Sequence, residues 1–360
     1  MFIAIDKQHN IIKASDYRNN KECFCPSCKE EVIFKNGSIY QSHFSHKNNS
    51  DCQTFSEGET PEHMEGKLLL YNWFKKEKIE VQLEAFLPAL KQRPDLLVNY
   101  KGTNIAIEYQ CSTITKEKII SRTRGYKNNG YYVFWILGHK LKVSEKVNTK
   151  HYAYISMDLS EKYYLFQLDQ NRKKFEILSD FSGSHTEVHY TVKSVTVSST
   201  LKDVFRNSVR RQRSGYGIEK NREEQKEYLY QLSFYRYEKS RHFFELMYKS
   251  GLSVDSLPDS IFCIVPNEWM IATFSYQWKL LMLIWLEEFE SYHVITKNVL
   301  VRKIKEWETE KVVAFQIMPN VNPANFYQPF FEYIEALCTN EIMKIVGDEK
   351  WVRHKSFSKK

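Results

Sequence analysis

The chain has 360 residues, 42% of them hydrophobic and 27% charged, which is apolar enough for two or three cores and argues against wholesale disorder. Its net charge of +8 permits a polyanionic partner, and Asp6 inside the first apolar run argues against a signal peptide. The longest unbroken apolar run, Leu280–Leu286, falls far short of the ~20 residues a membrane helix needs, so no membrane span is expected.

Residues 1–14 read as a small hairpin, FIAI and II around a polar turn. A cysteine-rich stretch follows. Of seven cysteines, four lie between Cys23 and Cys52, close to histidines. An odd count clustered in this way points to a metal site in a reducing compartment, not to disulfides. Cys25-Pro26-Ser27-Cys28 is a C-x₂-C knuckle, Val32–Phe34 a short strand, and Asn36-Gly37 a hairpin turn leading to His43-Phe44-Ser45-His46 and Cys52. Thiolates and imidazoles suit tetrahedral Zn²⁺. The first ligand set is Cys25, Cys28, His43 and His46. H-x₂-H is tighter than the usual H-x₃₋₅-H spacing, so Cys52 in place of one histidine is the alternative; Cys23 ranks behind them. Four protein ligands leave no open position, so the zinc is expected to be structural.

After a polar stretch containing Gly58, a helix is expected from Thr60-Pro61, with proline in its first turn. Glu59, His63 and Lys67 are spaced by four and fall on one stripe. EVQLEAF, Glu80–Phe86, alternates as a strand. Lys91–Tyr100 and Asn104–Ser112 form a hairpin with Lys101-Gly102 at its turn. Thr115 caps a second helix that stops at Gly130, and Tyr131–Leu137 lacks any polar interruption, as a strand buried on both faces does. The order from residue 60 is therefore αβββαβ. Antiparallel pairing places Asp95, at the start of one hairpin strand, opposite Glu108 and Gln110 on the other. Two carboxylates at one sheet end make a hard-oxygen site for Mg²⁺ or Mn²⁺, which there would activate water and stabilise charge on a phosphodiester.

That order, with "RPD" on the second strand and "EYQ" on the third, resembles the PD-(D/E)XK nuclease fold over residues 59–138. Gln110 departs from it, standing where the fold carries lysine; glutamine can hold water but brings no charge. Lys67 could supply the missing cation, and Glu59 or Glu62 the acid some members carry on this helix. A closer resemblance is to the competence protein CoiA family. It rests on C-P-x-C and H-F-x-H, then on Glu59, His63 and Lys67. Arg93 and Asp95, Glu108-Tyr109-Gln110-Cys111-Ser112, Arg122 and Tyr126, and Trp135 complete it. This resemblance implies a cytoplasmic role in natural transformation, supporting recombination of imported single-stranded DNA in the company of RecA. It also implies that Asp95 and Glu108 hold the catalytic metal, with Gln110 a further contact or an anchor for water. Lys67 and His63 would lie beside the nucleophile; His63 either carries a proton or makes a structural hydrogen bond.

Arg122 and Tyr126 share a helix face. With Arg93 and Arg124 they are candidate phosphate and DNA contacts, against a reading as surface cations. Residues 138–205 continue with strand-like runs that either extend the nuclease sheet or form an appendage. Residues 206–226 are basic, with Arg210, Arg211 and Arg213 placed to track a phosphate backbone, or to be a solvated linker. From residue 227 the pattern is helical. The expected fold class is α+β: a zinc-binding β module at 1–57, a nuclease-like domain with a β extension at 58–205, a basic linker at 206–226 and an α-helical domain at 227–360. The expected function is metal-dependent processing of single-stranded or branched DNA. The alternative is a nuclease-fold accessory that binds DNA without cutting it and recruits recombination or competence proteins.

Overall fold

The computed structural model describes residues 1–18, 21–26, 28–36, 42–47, 52, 60–184, 187–200, 222–235 and 237–356, with backbone alone at 211–213. Glu59, Arg210 and the Gly37 turn lie outside the described residues. Among those residues the chain folds as an α+β structure with a small N-terminal sheet, a large mixed sheet and a mainly helical C-terminal part.

The N-terminal sheet contains β1 (Ile3–Ile5), β2 (Ile11–Lys13), β3 (Cys23–Phe24), β4 (Glu31–Lys35) and β5 (His43–His46), ordered β2-β1-β3-β4-β5. Its core is slight: Met1, Ala4, Val32 and Phe44 pack with the buried sulfurs of Cys23, Cys25 and Cys52.

Helix α1 (Pro61–Lys76) starts where Thr60 accepts a hydrogen bond from the His63 amide, with Pro61 at its first position. The strands β6 (Glu80–Leu83), β7 (Leu96–Tyr100) and β8 (Thr103–Gln110) form an antiparallel meander. Lys101 and Gly102, both with positive φ, turn β7 into β8. Helix α2 (Lys116–Asn128) begins at Thr115, whose hydroxyl accepts from the Lys118 amide, and β9 (Tyr132–Leu137) returns parallel to β8. The expected αβββαβ order is present.

The two helices cover opposite faces of this sheet. Leu70 and Trp73 of α1 pack with Ile107, Tyr109 and Ile136; Ile119 and Tyr126 of α2 pack with Ala106, Val133, Trp135 and Leu137. Coverage on both sides explains why β9 carries no polar interruption.

The strands beyond residue 138 extend the nuclease sheet. After the short β10 (Ser156–Met157), β11 (Tyr163–Asp169) joins β9 in parallel, followed antiparallel by β12 (Lys174–Ser184), β13 (Glu187–Thr196) and β14 (Arg211–Arg213). The sheet order is β14-β13-β12-β11-β9-β8-β7-β6.

C-terminal helices run over Arg222–Tyr235, Glu238–Lys249, Ser275–Glu287, Lys297–Thr309 and Gln328–Thr339. The structure adds a small sheet that helical periodicity does not show: β15 (Val294–Thr296), β16 (Met343–Gly347) and β17 (Lys350–Arg353), ordered β15-β17-β16. Many aromatics here are core, including Trp278 against Phe330 and Tyr333, whereas Phe234, Tyr235 and Tyr292 are exposed. Trp269 stacks on Tyr152, and Asn320 donates to the Val133 carbonyl at 2.8 Å, so this part packs on the large sheet. Among the described residues no helix is long and apolar enough to cross a membrane.

Gly66 sets how closely α1 approaches β8. A Cβ added there would lie 2.1 Å from the Tyr109 ring. Gly66→Ala is therefore expected to lose about 1–3 kcal/mol by overpacking, outweighing a helix-propensity gain of about 1 kcal/mol. Urea unfolding should show a lower midpoint at unchanged slope; a higher midpoint would contradict this close seating.

Candidate metal centre and nuclease-like site

Among the described residues, each of the first two sheets carries a cluster of chemistry-bearing side chains. In the N-terminal sheet the ligand atoms of Cys25, Cys28, His46 and Cys52 all lie within 4.8 Å of one another. The knuckle is shaped by its backbone: the Lys29 amide donates to the Cys25 carbonyl and the Cys25 amide to the Glu30 carbonyl. Cys28 Sγ stands 3.3 Å from His46 Nε2. Burial pushes the Cys28 thiol up to about 12, and the neighbouring Cys52 and Cys25 sulfurs push in the same direction. Crowded thiols of this kind are what a bound cation would relieve, and three sulfurs with one imidazole match the donor set of structural zinc.

His43 is not among the four; Cys52 takes its place. Residues three apart on an extended strand face opposite sides, and β5 is extended over His43–His46. His46 therefore shares a side with the buried Phe44, while His43 points the other way. That alternation was the sequence signal for choosing Cys52. Cys23 is buried outside the cluster, its sulfur 3.5 Å from the Lys21 carbonyl.

The second cluster sits at one end of the large sheet. Leu96 pairs with Ile107, which puts Asp95 opposite Glu108. The two carboxylates take their partners from opposite helices. Asp95 Oδ2 accepts from the Tyr109 amide at 2.8 Å and lies 3.0 Å from His63 Nε2, while Lys67 Nζ is 3.7 Å from Oδ1. Glu108 Oε1 accepts from Arg122 and, at 2.5 Å, from the Tyr126 hydroxyl, both on α2. Burial raises the Asp95 pKa, but the charges of His63 and Lys67, with hydrogen bonds from His63 and the Tyr109 amide, outweigh it and hold the carboxyl at about 2. For Glu108 burial prevails: its pKa is raised, helped by the nearby Asp95 charge and opposed by Arg122 and Tyr126.

The other expected site residues are distributed as follows. Lys67 is fully buried and shares its ammonium between Asp95 and Glu84, at 2.5 Å from Glu84 Oε1. Gln110 turns its amide to the Ser112 carbonyl at 2.8 Å. Glu62 accepts from the His139 amide, tying α1 to the end of β9. Arg93 and Tyr126 do not offer themselves to DNA. The Arg93 guanidinium is buried against Glu84 and Met1, and the Tyr126 ring is core beneath Glu108. Arg122 is mostly covered by its pairing with Glu108, its carbonyl contact to Arg93 and its contact with Tyr126. Arg124, about 200° further round α2, is exposed. Arg211 and Arg213 lie on β14, the strand at the far end of the sheet from β6.

Glu84 is the site residue that the alternating reading of EVQLEAF passes over. The strand stops at Leu83, and Glu84 takes φ 53°, so a side chain expected on a polar face turns inward. The available signal was on α1. Lys67 falls at i+3 between the apolar Met64 and Leu70, where a buried ammonium demands an anion.

Family comparison matches residues 6–55 to the competence protein CoiA N-terminal domain, 59–209 to its nuclease-like domain and 212–360 to its C-terminal domain. This chain belongs to the competence protein CoiA family. The competence protein CoiA of Bacillus subtilis (strain 168) is 36% identical over 138 residues, a match that spans 37% of this chain and 37% of that relative. No solved structure matches the chain. In this CoiA-family chain the nuclease-like match contains the whole acid cluster, and the N-terminal match contains all four candidate zinc ligands.

Two measurements follow from this geometry. Purified protein should carry about one zinc per chain by elemental analysis. His43→Ala should keep it and Cys52→Ser should lose it; the reverse pattern would restore the two-histidine set. Asp95, with a folded pKa of about 2 against 3.8, contributes stability above pH 3.8 that is lost as pH falls towards 2. Urea midpoints between about pH 5 and 2 should fall more steeply for wild type than for Asp95→Asn.

Proposed function

We propose that this chain is a competence-associated, metal-dependent nuclease that processes imported single-stranded or branched DNA in the cytoplasm and supports its recombination during natural transformation. The observation that carries this reading is the convergence of Asp95 and Glu108 at one sheet end with His63 and Lys67 from α1. The donor set suits Mg²⁺ or Mn²⁺: adjacent strands present two carboxylates, and Asp95 stays anionic down to low pH. Such an ion, when bound, would lower the pKa of a water and offset charge building on the phosphodiester.

The chain's own residues do the rest. Asp95 and Glu108 would hold the ion. His63, on the Asp95 carboxylate, stands where it can orient or relay a proton of the attacking water. Lys67 brings the positive charge that Gln110 lacks. Arg122, at present on Glu108, has the planar fork to take a phosphate oxygen when DNA arrives. Arg124 is exposed to meet the backbone, and the edge strand with Arg211 and Arg213, next to Arg210, would track it electrostatically. RecA and other competence proteins would meet the chain through its C-terminal part.

A second reading, a nuclease-fold accessory that positions DNA without cutting it, draws support from two contacts. Glu108 is already paired with Arg122 and hydrogen-bonded by Tyr126, and the Gln110 amide group donates to a backbone carbonyl. Labelled single-stranded, duplex and branched DNA with Mg²⁺ or Mn²⁺ separates the two. Asp95→Ala and Glu108→Ala should each lose more cleavage than the roughly 10–100-fold that even an outer-shell partner costs, with zinc content and DNA binding retained. Wild-type protein that binds all three substrates and cuts none would establish the accessory. Cutting that survives in both variants would place the chemistry elsewhere.

A further inference from the structure

A chain of buried polar contacts runs from the N-terminal sheet to Asp95. Phe2 is tied to that sheet, its carbonyl accepting from the Ala14 amide at 2.8 Å. Its own amide donates to Glu84 Oε2 at 2.9 Å, and its ring lies 5.5 Å from Lys67 Nζ. Arg93 approaches the same Glu84 oxygen at 3.6 Å, and the Glu84 amide donates to the Asp95 carbonyl at 2.9 Å. The other Glu84 oxygen holds Lys67 Nζ at 2.5 Å, leaving the ammonium 3.7 Å from Asp95.

Lys67 thus stands between two carboxylates at unequal distances. In a poorly screened interior the nearer anion wins the ammonium. Among the described residues, removing the Glu84 charge would leave Asp95 as its nearest carboxylate, and a tight Lys67–Asp95 pair would take up the oxygen a cation or water needs.

We propose that Glu84 is a positioning residue for the Asp95 site, and that the N-terminal sheet sets it through the Phe2 amide. The inference rests on the nuclease reading of that site. Glu84 touches neither ion nor DNA; it acts by holding Lys67 near Asp95 but off it. The N-terminal module is thereby part of the site's outer layer as well as a candidate zinc carrier.

The test uses the full chain, with crystal structures and cleavage kinetics of wild type, Glu84→Gln, Phe2→Pro and the double variant Lys67→Met/Glu84→Gln. In Glu84→Gln, Lys67 should move onto Asp95, and kcat should fall about 100-fold with KM little changed. Phe2→Pro, which deletes the amide donor, should shift both readouts in the same direction. The double variant removes both charges together and should recover the wild-type melting temperature without recovering cleavage. A folded Glu84→Gln with Lys67 unmoved, or a double variant that cuts like wild type, overturns the proposal. If Glu84→Gln does not fold, Glu84→Asp decides: a Lys67 that shifts relative to Asp95 with a lowered kcat supports the proposal, and an unmoved Lys67 with unchanged kcat overturns it. Unchanged Lys67 and kcat in Phe2→Pro would overturn the part given to the N-terminal sheet. If wild type cuts no DNA, the nuclease reading fails, and the position of Lys67 in the Glu84→Gln crystals still decides the role of Glu84.

Discussion

A lysine ammonium fully enclosed by protein is the constraint around which the nuclease-like half is arranged. Taking a charge out of water costs several kcal/mol, recovered only when a partner and further hydrogen bonds surround it. Lys67 meets that demand with Glu84 at 2.5 Å, and Glu84 in turn takes the Phe2 amide and faces Arg93. Each partner comes from a different part of the chain: α1, the turn after β6, the loop before β7 and the N-terminal sheet. Satisfying one ammonium therefore fixes four segments relative to one another. Asp95, two residues beyond Arg93, is placed by the same arrangement.

The sheet end then gives two acids contrasting surroundings. Asp95 is held well below the usual carboxylate range by His63 and Lys67, whereas burial keeps Glu108 above it in spite of Arg122. Pairs of titratable groups driven apart in this way are a feature of sites that handle protons and charge. The asymmetry follows from the fold, because α1 and α2 lie on opposite faces, and Asp95 takes His63 and Lys67 from the first while Glu108 takes Arg122 and Tyr126 from the second. For cutting, Arg122 would have to release Glu108, and an incoming phosphate is the group able to draw it off. For binding alone, Arg122 need not move. The two functional readings thus differ in the fate of a single ion pair.

Much of this was legible in the sequence because it is local. Proline and threonine at Thr60-Pro61, threonine at Thr115, the Lys101-Gly102 turn and period-two runs gave αβββαβ and the pairing of Asp95 with Glu108. What escaped depends on non-local pairing. The parallel union of β11 with β9 joins residues about thirty apart across irregular chain, so the runs after residue 138 carried no sign of which sheet they entered. Strands β15, β16 and β17 are three to five residues long and close a sheet across two helices, too short to interrupt a helical pattern. Glu84 was hidden because its left-handed backbone ends at Leu83 a strand expected to run to Phe86. The preference for His43 came from matching a close cysteine pair with a close histidine pair, whereas the tight H-x₂-H spacing and strand alternation both favoured Cys52.

The N-terminal sheet has little means of holding itself together. Its buried apolar residues are few, and below about 60 residues a core of that size rarely stabilises a fold without a staple. Cys25, Cys28, His46 and Cys52 offer that staple, bringing the β3 knuckle, β5 and the chain beyond it to one point. The Phe44 amide donates to the Met1 carbonyl, so the strand carrying His46 also carries the contact that seats the first residues. Phe2, the next residue, delivers its amide to Glu84. Order at the cysteine cluster and order at Asp95 are thus joined through a few consecutive residues, and loss of the first would loosen the second without touching either carboxylate.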